Sequence, residues 1–434
     1  MTDAIAQPKF KLKFKLKFKP RVWMQRIHLW SSLTLGIVLL VVTISGSLAL
    51  FHPEVDRLVQ PKFYQATPGP AISFEQAWQT IKKAHPNEPV GEVIRANQNA
   101  PYYASIGVDR DKTAFVNPGT GQINGVKGDG GTFMGWFAKL HTSLFLDGVK
   151  FAYPRWVPEW VQKWIGEDLA ALVLKITALS LTFMVFTGAV LWWPGIKKMA
   201  YAFKLRRNGS TYIRQYDWHK IVGFVGLPFL AMWAITASNF YDPFKPLIHQ
   251  AWFTLTTAKV MPAPEGLKSD SKNKTAADQI SIPKVREIAL KALPQGATII
   301  NLGVPDLSAK FKNKDAEKEA RESTITVWGS YGLDPWKYGD YPGNYGVTID
   351  QYSGKVLDNN EARLASVGAN IYENWFYPIH AGIAVPWWAR TVWFAFGMLP
   401  TFLAVTGIRM YLIKRQGRLK KRVGFGPIMV GADD

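Results

Sequence analysis

Four long apolar runs interrupt an otherwise mixed chain. They are Leu33–Phe51, Leu169–Trp193, Ile221–Phe240 and Thr391–Ile413. Each is close to the roughly 20 residues that an α-helix needs to cross about 30 Å of hydrocarbon. Pro228 interrupts the third run, which makes it the weakest of the four. The pattern predicts four membrane-spanning helices, called here the first to fourth spans.

Lysine and arginine concentrate beside these runs. The chain of 434 residues has a formal net charge of +20, and its basic clusters precede the first span, separate the second from the third, and follow the fourth. The positive-inside rule makes those segments cytoplasmic and leaves residues 52–167 and 241–390 outside. We therefore expect a multi-pass protein of a bacterial inner membrane with both termini cytoplasmic. Charge placed in this way favours the lipid bilayer, and not nucleic acid, as the partner.

The two external regions have similar patterns of helix and strand. The first predicts one helix and three strands, at Phe74–Ala84, Val90–Arg95, Tyr102–Val108 and Thr113–Val116. The second predicts the same order, at Ile282–Leu293, Thr298–Val304, Ser323–Trp328 and Gly346–Ile349. Span, α+β domain and span thus occur twice, which predicts an internal duplication.

The expected fold is an α-helical membrane protein, a four-helix transmembrane bundle with two α+β periplasmic domains. Its segments are a basic cytoplasmic N-terminus (1–27), the first span (28–51), a periplasmic domain (52–167), the second span (168–193), a basic cytoplasmic loop (194–218), the third span (219–240), a second periplasmic domain (241–390), the fourth span (391–413) and a cytoplasmic C-terminus (414–434).

Small residues recur near the distal end of every span. The pairs are Ser45-Gly46, Thr187-Gly188, Thr236-Ala237 and Thr406-Gly407. Small side chains let helices approach closely, so we expect helix contacts there. A transporter would be expected to bury charged residues in mid-span. Lys175, a turn or so inside the second span, is a weak basis for that interpretation.

Four of the seven histidines occupy equivalent positions in the two halves. His28 and His219 lie at the cytoplasmic ends of the first and third spans, and His141 and His380 precede the second and fourth on the outside. Ionisable side chains at membrane depth are costly and usually functional. Two such pairs on opposite faces are what two b-type haems require, each iron held by two neutral imidazoles. The alternative is that these histidines anchor helices at the interface, as Trp and Tyr do.

Other residues could assist or compete with that site. Glycines near the histidines could admit a flat macrocycle, and basic residues could meet its propionates; the candidates are Gly36, Gly223, Gly226 and Gly382, and Arg26, Lys220, Lys139 and Arg390. His52 and His249 lie just beyond the outer ends of the first and third spans and are either surface residues or ligands of a further site. His85 is expected to be solvated. The absence of cysteine excludes disulfides, iron–sulfur clusters and thiolate or covalently attached haem.

Several motifs resemble the PepSY-associated transmembrane family, whose members include di-haem inner-membrane ferric-siderophore reductases. They are Arg26-Ile-His28-Leu-Trp, Asn117-Pro-Gly-Thr-Gly121, Leu140-His141, Thr187-Gly-Ala-Val-Leu-Trp-Trp-Pro194, Asp217-Trp-His219-Lys-Ile-Val-Gly223 and Pro378-Ile-His380-Ala-Gly382. The resemblance covers nearly the whole chain and implies two PepSY-like external domains. It also implies haem iron ligation by His28, His219, His141 and His380. The long segment Asp147–Gly166 departs from the family, which runs more directly from histidine into the span.

These features predict an oxidoreductase that passes electrons through two bis-histidine haems b to a periplasmic ferric siderophore or other iron chelate, which releases Fe(II). No G-x-G-x-x-G fingerprint occurs and the cytoplasmic segments are short, so the expected donor is a quinol or a separate reductase. An aromatic segment at 328–345 is the candidate substrate contact, through Trp328, Tyr331, Trp336, Tyr338, Tyr341 and Tyr345. The alternative function is binding or inhibition of an envelope peptidase by the PepSY-like domains, with the spans as anchors.

Overall fold

The structure, a computed structural model, describes most of the chain. The described residues are 20–95, 99–108, 110–128, 132–259, 264, 266–331, 344–361, 366–383, 385 and 387–423.

Within the described part of the chain, three helical segments are long and apolar enough to cross a membrane. They are α7 (Leu169–Trp192), α9 (Thr211–Ser238) and a stretch from Trp388 to Leu419 formed by α15 (Trp387–Gly397) and α16 (Leu399–Val423). The first predicted span is a bent pair, α1 (Pro20–Thr34) and α2 (Gly36–Ala49), with 65° between the two axes. It is a fourth crossing if the pair is one span. The chain is therefore a membrane protein, and the predicted runs lie where these helices form.

The sequence explains the shape of two of these helices. Thr34 donates from Oγ1 to the Trp30 carbonyl just before the α1/α2 bend, and Gly36 follows it. Such back-bonding and a glycine both favour a helix bend. Pro228 lies inside α9, yet the helix continues to Ser238. Residues packed around a helix can compensate the hydrogen bond that proline removes.

Shorter helices connect the membrane helices to a sheet. They are α3 (His52–Val59), α4 (Phe74–Ala84), α5 (Phe133–Ser143), α6 (Glu159–Ile165), α8 (Met199–Ala202), α10 (Phe244–Leu255), α11 (Ile282–Ala292), α12 (Lys314–Glu322), α13 (Val367–Asn370) and α14 (Phe376–His380), with 3₁₀ turns at Pro61–Tyr64, Ile196–Lys198 and Ala276–Asp278 and a π-helical turn at Ile371–Trp375. One end of the membrane helices is called here the sheet side. It is the end where α2 ends and α7 begins, and where the chain passes from the membrane helices to the sheet.

Among the described residues, the two regions predicted to be external both contribute to one antiparallel sheet of eight strands. The strands are β1 (Val90–Ile94), β2 (Tyr102–Ile106), β3 (Lys112–Val116), β4 (Ile123–Gly128), β5 (Ala297–Gly303), β6 (Ile325–Tyr331), β7 (Asn344–Ile349) and β8 (Val356–Asn359). Their order is β4-β3-β2-β1-β5-β6-β7-β8. The regions expected to be separate domains are thus joined at β1 and β5, where Val93 pairs with Leu302 and Ile94 with Asn301.

Buried charge reinforces this junction. Lys82 on α4 lies 2.8 Å from the Oδ2 atom of Asp306, whose side chain is 1% exposed. The same oxygen accepts a hydrogen bond from the Val90 backbone N–H. Asp306, which follows β5, therefore contacts both the helix and the first strand of the other half.

One helix from each half covers the sheet. Ala77 and Ile81 of α4 pack on β1–β3, and Val285 and Ala289 of α11 pack on β5–β7. Strand residues alternate between this face and the other, as in β2, where the first, third and fifth residues are buried. That alternation is why the strands could be predicted to within a few residues. Ser73 and Gln76 form a capping box that starts α4 at the predicted residue.

Candidate functional site

His28 and His219 meet at the end of the membrane helices away from the sheet side. His28 lies on α1 and His219 on α9, and their ring centroids are 6.4 Å apart with an angle of 89° between the rings. The two residues are 191 positions apart in the chain. Their rings come together because α1 and α9 both pack against α7.

His141 and His380 form a second pair near the sheet side. His141 lies on α5 and His380 ends α14, with ring centroids 6.2 Å apart and 39° between the rings. Neither helix is a span. Each packs beside one, α5 against α2 and α14 against α9.

Every one of the four rings is fixed through its Nδ1 atom. Three Nδ1 atoms lie within hydrogen-bond distance of a threonine hydroxyl: His28 to Thr187 at 2.8 Å, His219 to Thr406 at 2.9 Å and His380 to Thr236 at 2.8 Å. The fourth, His141, lies 2.8 Å from the Val42 carbonyl oxygen.

The hydrogen bonds determine which ring nitrogen carries the proton. Thr187 donates its hydroxyl proton to the Phe183 carbonyl, and Thr236 and Thr406 donate to the carbonyls four residues before them. A hydroxyl has a single proton, so each threonine oxygen accepts from the histidine, and a carbonyl can only accept. Nδ1 is therefore the donor in all four rings and Nε2 keeps its lone pair. Among the described residues, the hydrogen bonds that fix the four rings all involve Nδ1.

The histidine rings pack against the recurring small pairs. A Cβ atom on Gly46 would lie 2.6 Å from the His141 ring, and Cβ atoms on Gly188 and Gly407 would lie 3.6 Å and 3.7 Å from Cε1 of His28 and His219. The sequence predicted contacts between helices at these small pairs, but not contacts between the small pairs and the histidine rings. The available signal was the equal number of small pairs and paired histidines, four of each, with one small pair in every span.

Ser45 differs from the three threonines. Its hydroxyl lies 2.7 Å from the Val41 carbonyl oxygen and 3.1 Å from that of Val42, and it does not hold His141. His141 bonds directly to the Val42 carbonyl, because the glycine next to Ser45 lets the ring approach the α2 backbone.

An apolar layer separates the two pairs. His219 and Thr236 are about 25 Å apart along α9 at 1.5 Å per residue. Leu39, Leu181 and Ala234 form the buried cluster between them, with Trp233 packed against it. Trp233 donates from its indole nitrogen to the His380 carbonyl at 3.0 Å. Each pair is therefore a separate site.

The donor set fits a haem better than a protein-bound ion. Among the described residues, no group of three or more His, Cys, Asp or Glu side chains could hold a metal. A structural metal held by protein alone takes about four ligands, whereas haem iron needs only two axial ones. The ring centroids, 6.4 Å apart in one pair and 6.2 Å in the other, leave room for one metal that both rings of a pair would hold. Ligating histidines typically donate from their other ring nitrogen to an oxygen acceptor, as Nδ1 does in these four rings.

A family model of the PepSY-associated TM region matches residues 25–414, which includes both histidine pairs and the whole described sheet. The chain belongs to this PepSY-associated family. No curated protein matches the chain.

In this PepSY-associated protein, the residues proposed to surround a macrocycle have other contacts. A Cβ on Gly226 would lie 2.6 Å from Leu399, and Gly382 has a φ of 65° in the turn after α14. Among the proposed propionate partners, Arg390 forms a bidentate ion pair with Glu54, and Lys220 and Lys139 lie 3.6 Å and 3.4 Å from Asp217 and Asp147. Gly36 differs, because a Cβ atom added there would have no neighbouring heavy atom within 4 Å among the described residues.

The remaining histidines of this family member have local partners. His52 Nε2 lies 3.2 Å from the fully buried Asp56, one turn along α3. His249 stacks on Phe253 with ring centroids 4.1 Å apart. His85 ends α4 and lies 3.2 Å from Glu88. None of the three meets another histidine among the described residues, which leaves the four paired rings as the site.

The aromatic segment proposed for substrate contact is not one loop. Trp328 and Tyr331 belong to β6, and Tyr345 belongs to β7 and packs on the core under α11. Trp328, 37% exposed, lies on the opposite face, where a Cβ on Gly346 would be 2.9 Å from its ring. The expectation for Trp336, Tyr338 and Tyr341 lies outside the described residues.

The unusual segment before α7 returns to the membrane helix. Lys150 bridges to Asp168, and the backbone N–H groups of Phe151 and Leu169 donate to Glu167 and Val149. This hairpin lets α5 run beside α2 while α7 starts anew. His141 can therefore reach the site although more than twenty residues separate it from the span.

Proposed function

We propose that this protein carries electrons across the bacterial inner membrane to reduce a ferric siderophore or another iron chelate in the periplasm, using two haems b held by His28 with His219 and by His141 with His380. The observation that carries the proposal is the pairing of four equivalent histidines into two sites, each ring fixed through Nδ1 and each pair with a centroid separation suited to one metal. The resemblance to ferric-siderophore reductases of the same family supports the choice of substrate.

The protein's own residues hold the imidazoles ready. Thr187, Thr406 and Thr236 and the Val42 carbonyl fix each ring as the Nδ1–H tautomer, so that Nε2 remains available as a ligand. When bound, haem supplies one-electron redox chemistry. Buried apolar side chains around Leu39 and Leu181 lie between the sites.

The electron balance requires a donor outside the chain. Each ferric ion takes up one electron and becomes ferrous, and a quinol gives up two electrons and two protons. A separate cytoplasmic reductase is the other donor class. Fe(II) is softer and less charged than Fe(III), so hard oxygen ligands hold it less tightly and release it.

The basic cytoplasmic segments and the internal duplication belong to the same proposal. Positive charge beside the ends of the spans supports a periplasmic position of the sheet. The two halves contribute one histidine each to both sites, which supports an origin by tandem duplication of a span, an α+β region and a span.

The visible spectrum of the detergent-purified protein, oxidised and dithionite-reduced, tests the proposal. Low-spin b-type bands with about two haems per chain are expected, falling to about one in His219→Ala. His249→Ala is the matched control, because that ring stacks on Phe253 and pairs with no other histidine among the described residues. A protein that stays colourless although haem is supplied during expression would overturn the proposal and favour peptidase binding by the sheet.

A further inference from the structure

Three tryptophans project from the segment between α5 and α7. Trp156 is 81% exposed, Trp160 72% and Trp164 46%. They follow one another at intervals of four residues, and Trp160 and Trp164 therefore share one face of α6. Large exposed aromatic surfaces of this kind mark an interaction site.

The other faces of α6 have different environments. Glu159 and Lys163 are exposed and lie on the adjoining face, four residues apart. Val161, Gln162 and Ile165 are half-buried and turn toward the rest of the protein. The helix thus has a packed face, a charged face and a tryptophan face.

Lys175 sets the depth of α6. Its Nζ atom donates to the carbonyls of Trp164 and Ile165 at 3.0 Å and 3.1 Å, so it caps the C-terminal end of α6. Lys175 begins about 9 Å inside α7 at 1.5 Å per residue. An extended lysine stem and its hydrogen bond together span about that distance, so the end of α6 lies no farther out than the beginning of α7. This contact also explains the charged residue in the second span.

We propose that Trp156, Trp160 and Trp164 insert into the boundary between lipid headgroups and acyl chains on the sheet side, so that α6 is an interfacial anchor. Tryptophan favours that layer because its ring is apolar and its N–H can reach water or a headgroup. Glu159 and Lys163 would then face water. The anchor fixes the segment that joins α5 to α7 and, through α5, the depth of His141. This proposal does not depend on the proposed haem function.

Site-directed spin labelling tests the anchor, since the chain has no cysteine of its own. Single variants Trp160→Cys and Trp156→Cys are labelled in phosphatidylcholine nanodiscs, with Glu159→Cys and Lys163→Cys as matched controls on the charged face. Collision rates with oxygen, which concentrates in lipid, and with a water-soluble nickel chelate are measured for each. Trp156 is so exposed that its replacement removes few contacts, which keeps the test valid if Trp160→Cys does not fold.

The anchor predicts opposite behaviour of the two faces. Labels at 156 and 160 should collide with nickel several-fold less often, and with oxygen more often, than labels at 159 and 163. Nickel collision rates at 156 and 160 equal to those of the controls would overturn the proposal and show a water-facing surface instead.

Discussion

His380 is held by two neighbouring side chains of one helix: its Nδ1 atom lies 2.8 Å from Thr236 Oγ1, and Trp233, three residues earlier, donates to its backbone carbonyl. Ring and backbone of the histidine are thus both fixed by α9. The same helix presents His219 at its other end, so a single rigid element connects the two sites.

The hydroxyl of Thr236 should control ligation by His380. Thr236→Val removes the acceptor, and the loss of such an outer partner typically costs about 10–100-fold in metal affinity. We expect haem retention on dilution or against a haem scavenger to fall accordingly. Thr236→Ser, which keeps the hydroxyl, is the control; equal retention by Val and Ser would contradict this role.

Gly46 should be less replaceable than Gly407. Alanine at 46 places Cβ 2.6 Å from the His141 ring and forces it to move, whereas at 407 the nearest His219 atom is 3.7 Å away. Gly46→Ala is expected to lose the His141–His380 centre, about one haem of two, while Gly407→Ala keeps both. The haem-to-protein ratio decides, and a Gly46→Ala protein with the full complement would refute the expectation.

Lys175 should stabilise the segment before α7. Lys175→Met removes the donor that caps α6 and leaves the carbonyls of Trp164 and Ile165 without it, at a cost of about 1–3 kcal/mol each if they stay dry. Amide hydrogen exchange at Glu159–Ile165 should accelerate. Lys175→Arg, which keeps the positive donor, should preserve protection. Unchanged exchange in the Met variant would show that the cap contributes nothing.

The ion pair between Lys82 and Asp306 should hold the two halves of the sheet together. Asp306→Ala leaves a half-buried lysine and the Val90 N–H without their partner, and breaking a buried pair costs about 3–5 kcal/mol. The melting temperature should fall clearly. Glu287→Ala, which removes exposed pairs with Lys284 and Lys291, should change it little, since each such pair contributes about 0–1 kcal/mol. Equal effects of both variants would contradict the importance of the junction.

Asp350 should make the sheet sensitive to acid. Burial raises the pKa of its carboxyl, but hydrogen bonds from the backbone of Ser353, Asp270 and Tyr352 and from the Ser353 hydroxyl outweigh it, so the folded pKa is below the ordinary 3.8. A group with a depressed folded pKa stabilises the fold above its unfolded pKa, and this contribution disappears as pH falls through the folded pKa.

Asp350→Asn should therefore be less stable than wild type at neutral pH, and the difference should shrink below the ordinary pKa of aspartate. Denaturant unfolding followed by circular dichroism over that pH range measures it. Glu361→Gln, at an exposed position after β8, is the control and should show no such convergence. A pH-independent difference for Asp350→Asn would exclude the carboxylate as its cause.

The sequence by itself determined the elements. Apolar runs of about span length mark the membrane helices, because lipid admits only segments whose backbone groups are satisfied internally. Alternation marks strands such as β2, and the capping residues Ser73 and Gln76 mark the start of α4, because these signals are local. The equivalence of four histidines in two halves was also visible without coordinates.

Only the tertiary structure decided what these elements do to one another. Pairing of β1 with β5 made one sheet of two expected domains, since Val93 and Leu302 are distant in sequence and β-strand edges carry no sequence label for their partner. The small pairs predicted contacts between helices, and the packing of the helices places the histidine rings against them. The sequence did not explain the charge of Lys175, and the structure does, because the hairpin brings the end of α6 within hydrogen-bond reach of the lysine. Contacts between distant residues depend on how whole helices pack, and that arrangement is set by the sum of many weak interactions and not by any local pattern.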